Sequence, residues 1–395
     1  MMKTTGTEEM KITGLSEIAK LFEDSNYIDI LQLISKACEI RDRYFGKIIT
    51  YSRKVFIPLT NICSNKCYYC NFRRDPESSE AYIMNIEDIV HKVKKWEKKF
   101  KIKEILVCTG ERPDRYEKVR DRLKMWGFKN YIEYVITFLD KVLKNTEFAI
   151  PHLNIGYLSF EELKLLKPYV ASVGLMLECI SYRLNRRGMP HYESSTKMPH
   201  IRLRFIYNCY RLRIATTTGI LVGICEDSID RARTLIVTKK LLENFDNIQE
   251  IIIQPYTPGS ISERLCTCCR RPTIYEIMKI ISIYRIYVRN LTSIQSPPNL
   301  YPESFGLLIL AGINDWGGIS PITPDYINID YRWPKICEIR KVTESFGYML
   351  RERLPIYPKY IKNAKVWLSD IIRERVLNIV DEDGLVDRKY EGEDI

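Results

Sequence analysis

Apolar and polar positions along the chain follow two alternating rhythms. Short runs rich in β-branched residues read as strands: Val55–Thr60, Glu104–Cys108, Glu147–Leu153, Val173–Cys179, Thr217–Ile224 and Glu250–Gln254. Between them the apolar positions recur at helical spacing. Ile86, Ile89, Val90, Val93, Trp96 and Phe100 make one stripe, and Ile229, Ala232, Leu235, Ile236 and Phe245 make another. Ser159 with Glu162, and Thr273 with Glu276, fit the box that satisfies free N–H groups at a helix start.

Strand and helix alternating this often predict a parallel sheet with helices outside. Weaker strand candidates at Ser293–Ser296 and Gly318–Ile322 bring the count to that of a (β/α) TIM-type barrel, closed or nearly closed. Residues 1–45 read as a helical preamble, 46–335 as the barrel and 336–395 as a C-terminal helical extension, with Glu338–Pro358 as a closing helical segment. In such barrels the chemistry sits at the C-terminal ends of the strands, so motif residues are expected just after strands.

Composition narrows the classes. Of 395 residues, 61 are Lys or Arg and 50 are Asp or Glu, a net charge of +11. The basic residues are scattered over helix faces, as at Lys92, Lys94, Lys95, Lys98 and Lys99, which reads as a solvated surface rather than a nucleic-acid site. Met1–Gly14 has no apolar core, and runs such as Phe305–Ile313 fall short of the roughly 20 residues of a membrane span. A cytoplasmic chain is expected, with no membrane and no nucleic acid as partner. Its twelve cysteines are then expected to be thiols, metal ligands or catalytic groups rather than disulfides.

Three of them form the sharpest motif, Cys63-Ser-Asn-Lys-Cys67-Tyr-Tyr-Cys70, directly after the first strand. Ordinary 4Fe-4S clusters take four protein thiolates. A local set of three leaves one iron open. The competing reading is a zinc site, whose fourth ligand would have to come from Cys266, Cys268 or Cys269. That later loop matches no common ligand pattern and is expected not to bind metal. His152, with Asn154 at the end of the third strand, either orients substrate or shuttles a proton, or is a hydrogen-bonded structural residue.

The CxxxCxxC loop resembles that of the radical S-adenosylmethionine (SAM) superfamily. The resemblance implies that Cys63, Cys67 and Cys70 hold a 4Fe-4S cluster whose open iron chelates SAM. An electron from the cluster then cleaves SAM to methionine and a 5′-deoxyadenosyl radical. Tyr69 matches the aromatic position near the adenine. Gly110-Glu111 looks like the element that holds the methionine amino group. Glu178 suits the ribose hydroxyls and Arg202 the carboxylate. Gly219 and Gly223 lie in a segment, Gly219 to Glu226, resembling the strand whose backbone passes the adenine.

Longer segments narrow the resemblance. Gly110-Glu-Arg-Pro113, Pro151-His-Leu-Asn154, Gly174-Leu-Met-Leu-Glu178, Pro297-Pro-Asn-Leu300, Ala311-Gly-Ile-Asn-Asp-Trp-Gly-Gly-Ile-Ser-Pro321 and Glu352-Arg-Leu-Pro-Ile-Tyr-Pro358 look like the deazaflavin-forming FO synthase family, in its separate CofG-type subunit form. That family closes the ring of a hydroxybenzyl–ribityluracil adduct oxidatively, with loss of ammonia, in coenzyme F-420 biosynthesis. The resemblance implies a separate sister subunit that supplies the adduct and a low-potential ferredoxin- or flavodoxin-type electron donor. Asn314, Asp315 and Trp316 are either substrate contacts near the barrel mouth or a structural turn. Ile155, Cys225 and Gln254-Pro255 depart from the family pattern. The alternatives are a radical SAM relative with another substrate, such as the tyrosine-using sister, or a non-catalytic iron–sulfur protein.

Overall fold

The computed structural model describes residues 14–23, 26–259 and 267–393. Eight parallel strands close on themselves. They are β1 (Ile48–Thr60), β2 (Glu104–Thr109), β3 (Ile150–Asn154), β4 (Ser172–Gly174), β5 (Ala215–Val222), β6 (Ile248–Pro255), β7 (Ser293–Gln295) and β8 (Asp315–Ile319). Each pairs with the next, and β1 pairs with both β2 and β8, so the ring has no gap. The expected TIM-type barrel is therefore observed in closed form.

Strand β1 is thirteen residues long because it serves three neighbours. Its upper half, Lys54 to Thr60, carries β2, while Thr50 to Arg53 meet β8. Below β2, residues Ile48 to Ser52 pair with a ninth strand, β9 (Met349–Arg353). The segment Glu338–Pro358, expected to be helical, thus contains a strand. The lower edge of β1 presents unpaired N–H and C=O groups, and a strand satisfies them where a helix does not.

The helices pack outside. Those longer than four residues are α1 (Leu15–Glu23), α2 (Tyr27–Phe45), α3 (Ile86–Phe100), α4 (Glu117–Met125), α5 (Tyr131–Asn145), α6 (Phe160–Leu166), α7 (Pro199–Arg211), α8 (Ser228–Asn244), α9 (Ile274–Val288), α10 (Ile336–Ser345) and α11 (Asp370–Ile379). Asn85 caps α3, whose Ile86, Ile89, Val90 and Val93 are buried against the sheet. Ser159 and Glu162 form the reciprocal box at α6. At α9, Thr273 caps the Glu276 N–H, but the Glu276 carboxylate turns to Arg231 and Arg270 instead. Among the described residues no helix is long and apolar enough to cross a membrane.

Inside, the barrel is charged and closed at the bottom. Arg353, at the end of β9, binds Asp315 at 2.5 and 2.8 Å and reaches Glu250 at 3.4 Å. Tyr357 donates to Glu250 at 2.6 Å, and the Pro355 carbonyl accepts from Ser172 and Gln249. These contacts close the floor, and the interior opens at the C-terminal ends of the strands.

Candidate active site

A cavity of about 300 Å³ occupies that open end. Cys63, Cys67 and Cys70 all border it. Their loop is held from behind by residues 190–196. Tyr68 N–H donates to Pro190 O at 2.9 Å, Lys66 N–H to Ser194 Oγ at 3.0 Å, and Asn65 Nδ2 to Thr196 Oγ1 at 2.6 Å. Burial pushes the Cys63 thiol up to about 12, with Cys67 and Cys70 adding to the rise. Burial likewise raises Cys67. Thiols raised as Cys63 and Cys67 are become thiolates only beside strong positive charge, which an iron–sulfur cluster supplies. Among the described residues no three Cys, His, Asp or Glu converge on one metal-ion point. A cubane binds each thiolate through a different iron, so it needs sulfurs around a cavity, as here, whereas zinc needs them around a point.

Gly110 and Gly156 build the next wall. A Cβ on Gly110 would lie 2.1 Å from the Ile62 carbonyl oxygen, so only glycine lets the β2 turn press against the cysteine loop. The turn then donates the Glu111 N–H to Cys63 Sγ at 3.2 Å. Gly156, at φ +85°, leaves room for Glu111, since a Cβ there would sit 2.2 Å from its Cγ. The buried Glu111 carboxylate meets Arg202 of α7, Nη2 to Oε2, at 3.4 Å. Glu111 Oε1 and Arg202 Nε are buried without a partner. A bound ammonium and a bound carboxylate would satisfy those two atoms, and an amino-acid end group carries both.

Glu178 follows β4 in a left-handed turn, φ +62°, where its N–H bonds Gly219 O at 2.8 Å. Tyr69 donates its hydroxyl to Glu178, Lys197 pairs with the other oxygen, and His191 Nε2 lies 2.9 Å away. Burial works against the charge on Glu178, but Lys197 and His191 outweigh it and hold the carboxyl well below the ordinary range. A ribose diol reaching Glu178 would share it with Lys197.

Other expected residues lie elsewhere. Asn154 lines the cavity, but His152 sits one inward position lower on β3, with Nδ1 2.7 Å from Ser172 Oγ. Burial lowers its pKa to about 4, so it stands as a neutral, hydrogen-bonded structural histidine. Gly219 and Gly223 do not border the cavity. A Cβ on Gly219 would meet Ile252 O of β6 at 2.2 Å, and one on Gly223 would meet Arg270 O at 2.1 Å, so both glycines admit protein backbone. Leu221 is the residue of β5 that faces the cavity.

Asn314, Asp315 and Trp316, read as substrate contacts or as a structural turn, do not border the cavity. Strand β8 begins at Asp315, so these residues lie at the sealed end. Asn314 accepts from Arg285 at 2.6 Å, Asp315 binds Arg353, and the fully buried Trp316 donates to Thr343 Oγ1 at 3.0 Å. Of the cysteine loop that precedes α9, Cys266 lies outside the described residues. Cys268 is disulfide-paired with Cys225, and neither borders the cavity.

Reasoning from sequence missed Lys197 and His191, which lie in an irregular segment without a motif. It also missed the far wall, where Lys54, Gln254, Gln295, Asp325, Asn328 and Trp333 line the cavity. Lys54 Nζ lies 4.6 Å from the Trp333 ring centroid, and burial lowers its pKa. A lysine directly before the apolar run Val55–Leu59 of β1 was the one available signal.

The Radical SAM superfamily profile matches residues 57–236, the span from β1 into α8. The 7,8-didemethyl-8-hydroxy-5-deazariboflavin synthase of Methanococcus aeolicus is 41% identical over 335 residues, 84% of this chain and 89% of the relative. That of Methanobrevibacter smithii is 36% identical over 349 residues, 88% of this chain and all of the relative. The chain belongs to the 7,8-didemethyl-8-hydroxy-5-deazariboflavin synthase family. The FeFe-hydrogenase maturase HydG from Carboxydothermus hydrogenoformans shares the fold, with a TM-score of 0.68 at 18% identity over 93% of this chain and 86% of its own. In this member of the deazariboflavin synthase family, Ile155 is buried in the outer apolar layer, away from the cavity. Gln254 and Pro255 do line it, so that departure touches the site.

Proposed function

We propose that this chain is a radical SAM lyase. It converts 5-amino-5-(4-hydroxybenzyl)-6-(D-ribitylimino)-5,6-dihydrouracil to 7,8-didemethyl-8-hydroxy-5-deazariboflavin (FO), with loss of ammonia. The supporting observation is one buried cavity that gathers Cys63, Cys67, Cys70, Glu111 and Arg202, in a chain that aligns over most of its length with synthases of that name.

Cys63, Cys67 and Cys70 would hold a 4Fe-4S cluster, and Glu111, Arg202, Glu178 and Tyr69 would hold SAM. Together the two groups supply one-electron reduction and hydrogen abstraction from carbon. The protein's own work is placement and exclusion of water. Glu111 and Arg202 orient an amino-acid end group against the cysteine loop. Lys197 keeps Glu178 ionised as a hydrogen-bond acceptor. The sealed floor of Arg353, Asp315 and Glu250 keeps the cavity closed below.

Opposite the cysteines, Gln254, Gln295, Asp325 and Asn328 offer donors and acceptors for a uracil and a ribityl chain. Trp333 and Phe56 offer flat apolar surface for a phenol ring. Asn154 also lines the cavity. The adduct comes from a separate sister subunit, and a ferredoxin- or flavodoxin-type donor supplies the electron.

The test is an anaerobic incubation of iron–sulfur-reconstituted protein with dithionite, SAM and the adduct, analysed by chromatography with mass detection. Deazariboflavin and 5′-deoxyadenosine are expected together. Conversion of tyrosine with ribitylaminouracil, and no reaction of the adduct, would reassign the chain to the sister activity.

A further inference from the structure

Three cysteines outside the cavity are brought to one place. Cys225, after β5, is disulfide-paired with Cys268, 43 residues later, with Cα atoms 5.3 Å apart. Cys269 is also disulfide-bonded, and its Sγ lies 3.8 Å from that of Cys225. We propose that, once reduced, Cys225, Cys268 and Cys269 form a binding site for a soft divalent metal ion of the zinc class, separate from the triple-cysteine loop.

Both sides of the site are built in advance. The turn at residues 223–226 wraps the Glu226 carboxylate, which accepts from Gly223 N–H at 2.9 Å and Ile224 N–H at 2.7 Å. Arg231 fixes that carboxylate at 2.8 Å. This curl places Cys225 at φ +71°, a left-handed conformation that disfavours a residue with a Cβ. A thiol held in that geometry is explained by use of its sulfur.

The opposing segment is pinned as firmly. Arg270 N–H donates to Gly223 O at 2.9 Å, the Arg270 guanidinium binds Glu276, and Pro272 O accepts from Tyr301 at 2.6 Å. Cys225 and Cys269 pack against a small apolar cluster that includes Leu221, Ile224 and Tyr256.

The sulfur spacing suits a tetrahedral ion. Zinc–sulfur bonds of about 2.3 Å place neighbouring sulfurs about 3.8 Å apart, the separation seen between Cys225 and Cys269. With the disulfides closed, no three donors among the described residues converge on one ion. Each disulfide is reduced to two thiols either by a dithiol, which gives two electrons and two protons and becomes a disulfide, or by a phosphine, which gives two electrons and becomes the phosphine oxide while water supplies the protons and the oxygen; metal binding then releases thiol protons. Among the described residues eight further cysteines are free thiols, four of them lining the cavity.

The test uses the full chain, purified anaerobically, reduced with a phosphine, incubated with zinc(II) and desalted. Zinc, iron and acid-labile sulfide are then measured. About one zinc per chain is expected, lost in Cys225→Gly and in the Cys268→Ser/Cys269→Ser double variant, with iron unchanged. Cys225→Gly also relieves the left-handed backbone, and its circular dichroism spectrum, expected unchanged, separates loss of the ligand from misfolding. Cobalt(II) in place of zinc should give thiolate-to-metal charge-transfer absorption that the same variants abolish. Failure to retain zinc, zinc retained equally by the variants, or additional iron and sulfide lost with Cys225 would each overturn the proposal.

Discussion

Glu111 and Arg202 meet across two βα units in a buried pair at 3.4 Å, each with one polar atom left unsatisfied. Those unsatisfied atoms are the clearest sign that the pair serves a ligand. Glu111→Ala and Arg202→Ala should each weaken SAM binding by about ten- to a hundredfold, the worth of a charge-assisted hydrogen bond of about 1.5–3 kcal/mol. The iron content should not change. Calorimetric titration of the reconstituted variants checks this, and an unaltered affinity removes that residue from the site.

Lys197 and Glu178 make a second buried pair, with His191 and Tyr69 on the same carboxylate. Removing one partner of such a pair costs about 3–5 kcal/mol, because the other charge stays buried. Lys197→Met should therefore destabilise the fold by about that amount, and adding Glu178→Gln should recover much of it. Urea denaturation of both variants gives the coupling. Simple additivity would mean that the pair is not energetically linked.

His152 predicts an acid sensitivity. Burial lowers its pKa from 6.5 to about 4, so it is neutral in the fold and protonates in the unfolded chain below 6.5. Stability is unaffected above that value and is lost progressively as the pH falls from 6.5 to 4, by about 3 kcal/mol in all. Denaturation midpoints of His152→Gln should fall less than those of the parent chain over this window. Parallel curves would show that His152 does not titrate as its surroundings require.

Trp316 and Asp315 belong to the sealed end of the barrel, so their loss should show as stability rather than as substrate affinity. Trp316→Ala should cost about 3–5 kcal/mol through the cavity it leaves. Any protein that still folds should keep its KM for the adduct. A large rise in KM with unchanged stability would return this segment to the substrate site.

The contrast between these residues shows what the chain makes legible. The barrel follows from β-branched runs and helical stripes, because those local patterns coincide with the packing. The three thiols are visible because a single loop of eight residues holds them. Lys197 is invisible because tertiary packing of an irregular segment on the cysteine loop places it. Asn314 to Trp316 stand out as a segment, but depth in a barrel depends on where β8 starts. Gly219 and Gly223 mark close approach correctly, yet the approaching group is backbone from β6 and from Arg270. Cys225 acquires its partner only once the fold closes a 43-residue separation.

The most direct test is the product balance of a single anaerobic reaction. Reconstituted protein, reductant, SAM and the hydroxybenzyl–ribityluracil adduct are combined, and deazariboflavin, 5′-deoxyadenosine and ammonia are quantified by mass spectrometry and enzymatic assay. Deazariboflavin and ammonia should form in equal amounts, with 5′-deoxyadenosine rising alongside, and all three should vanish in Cys67→Ala. 5′-Deoxyadenosine formed at full rate with no deazariboflavin and no ammonia would contradict the assigned reaction.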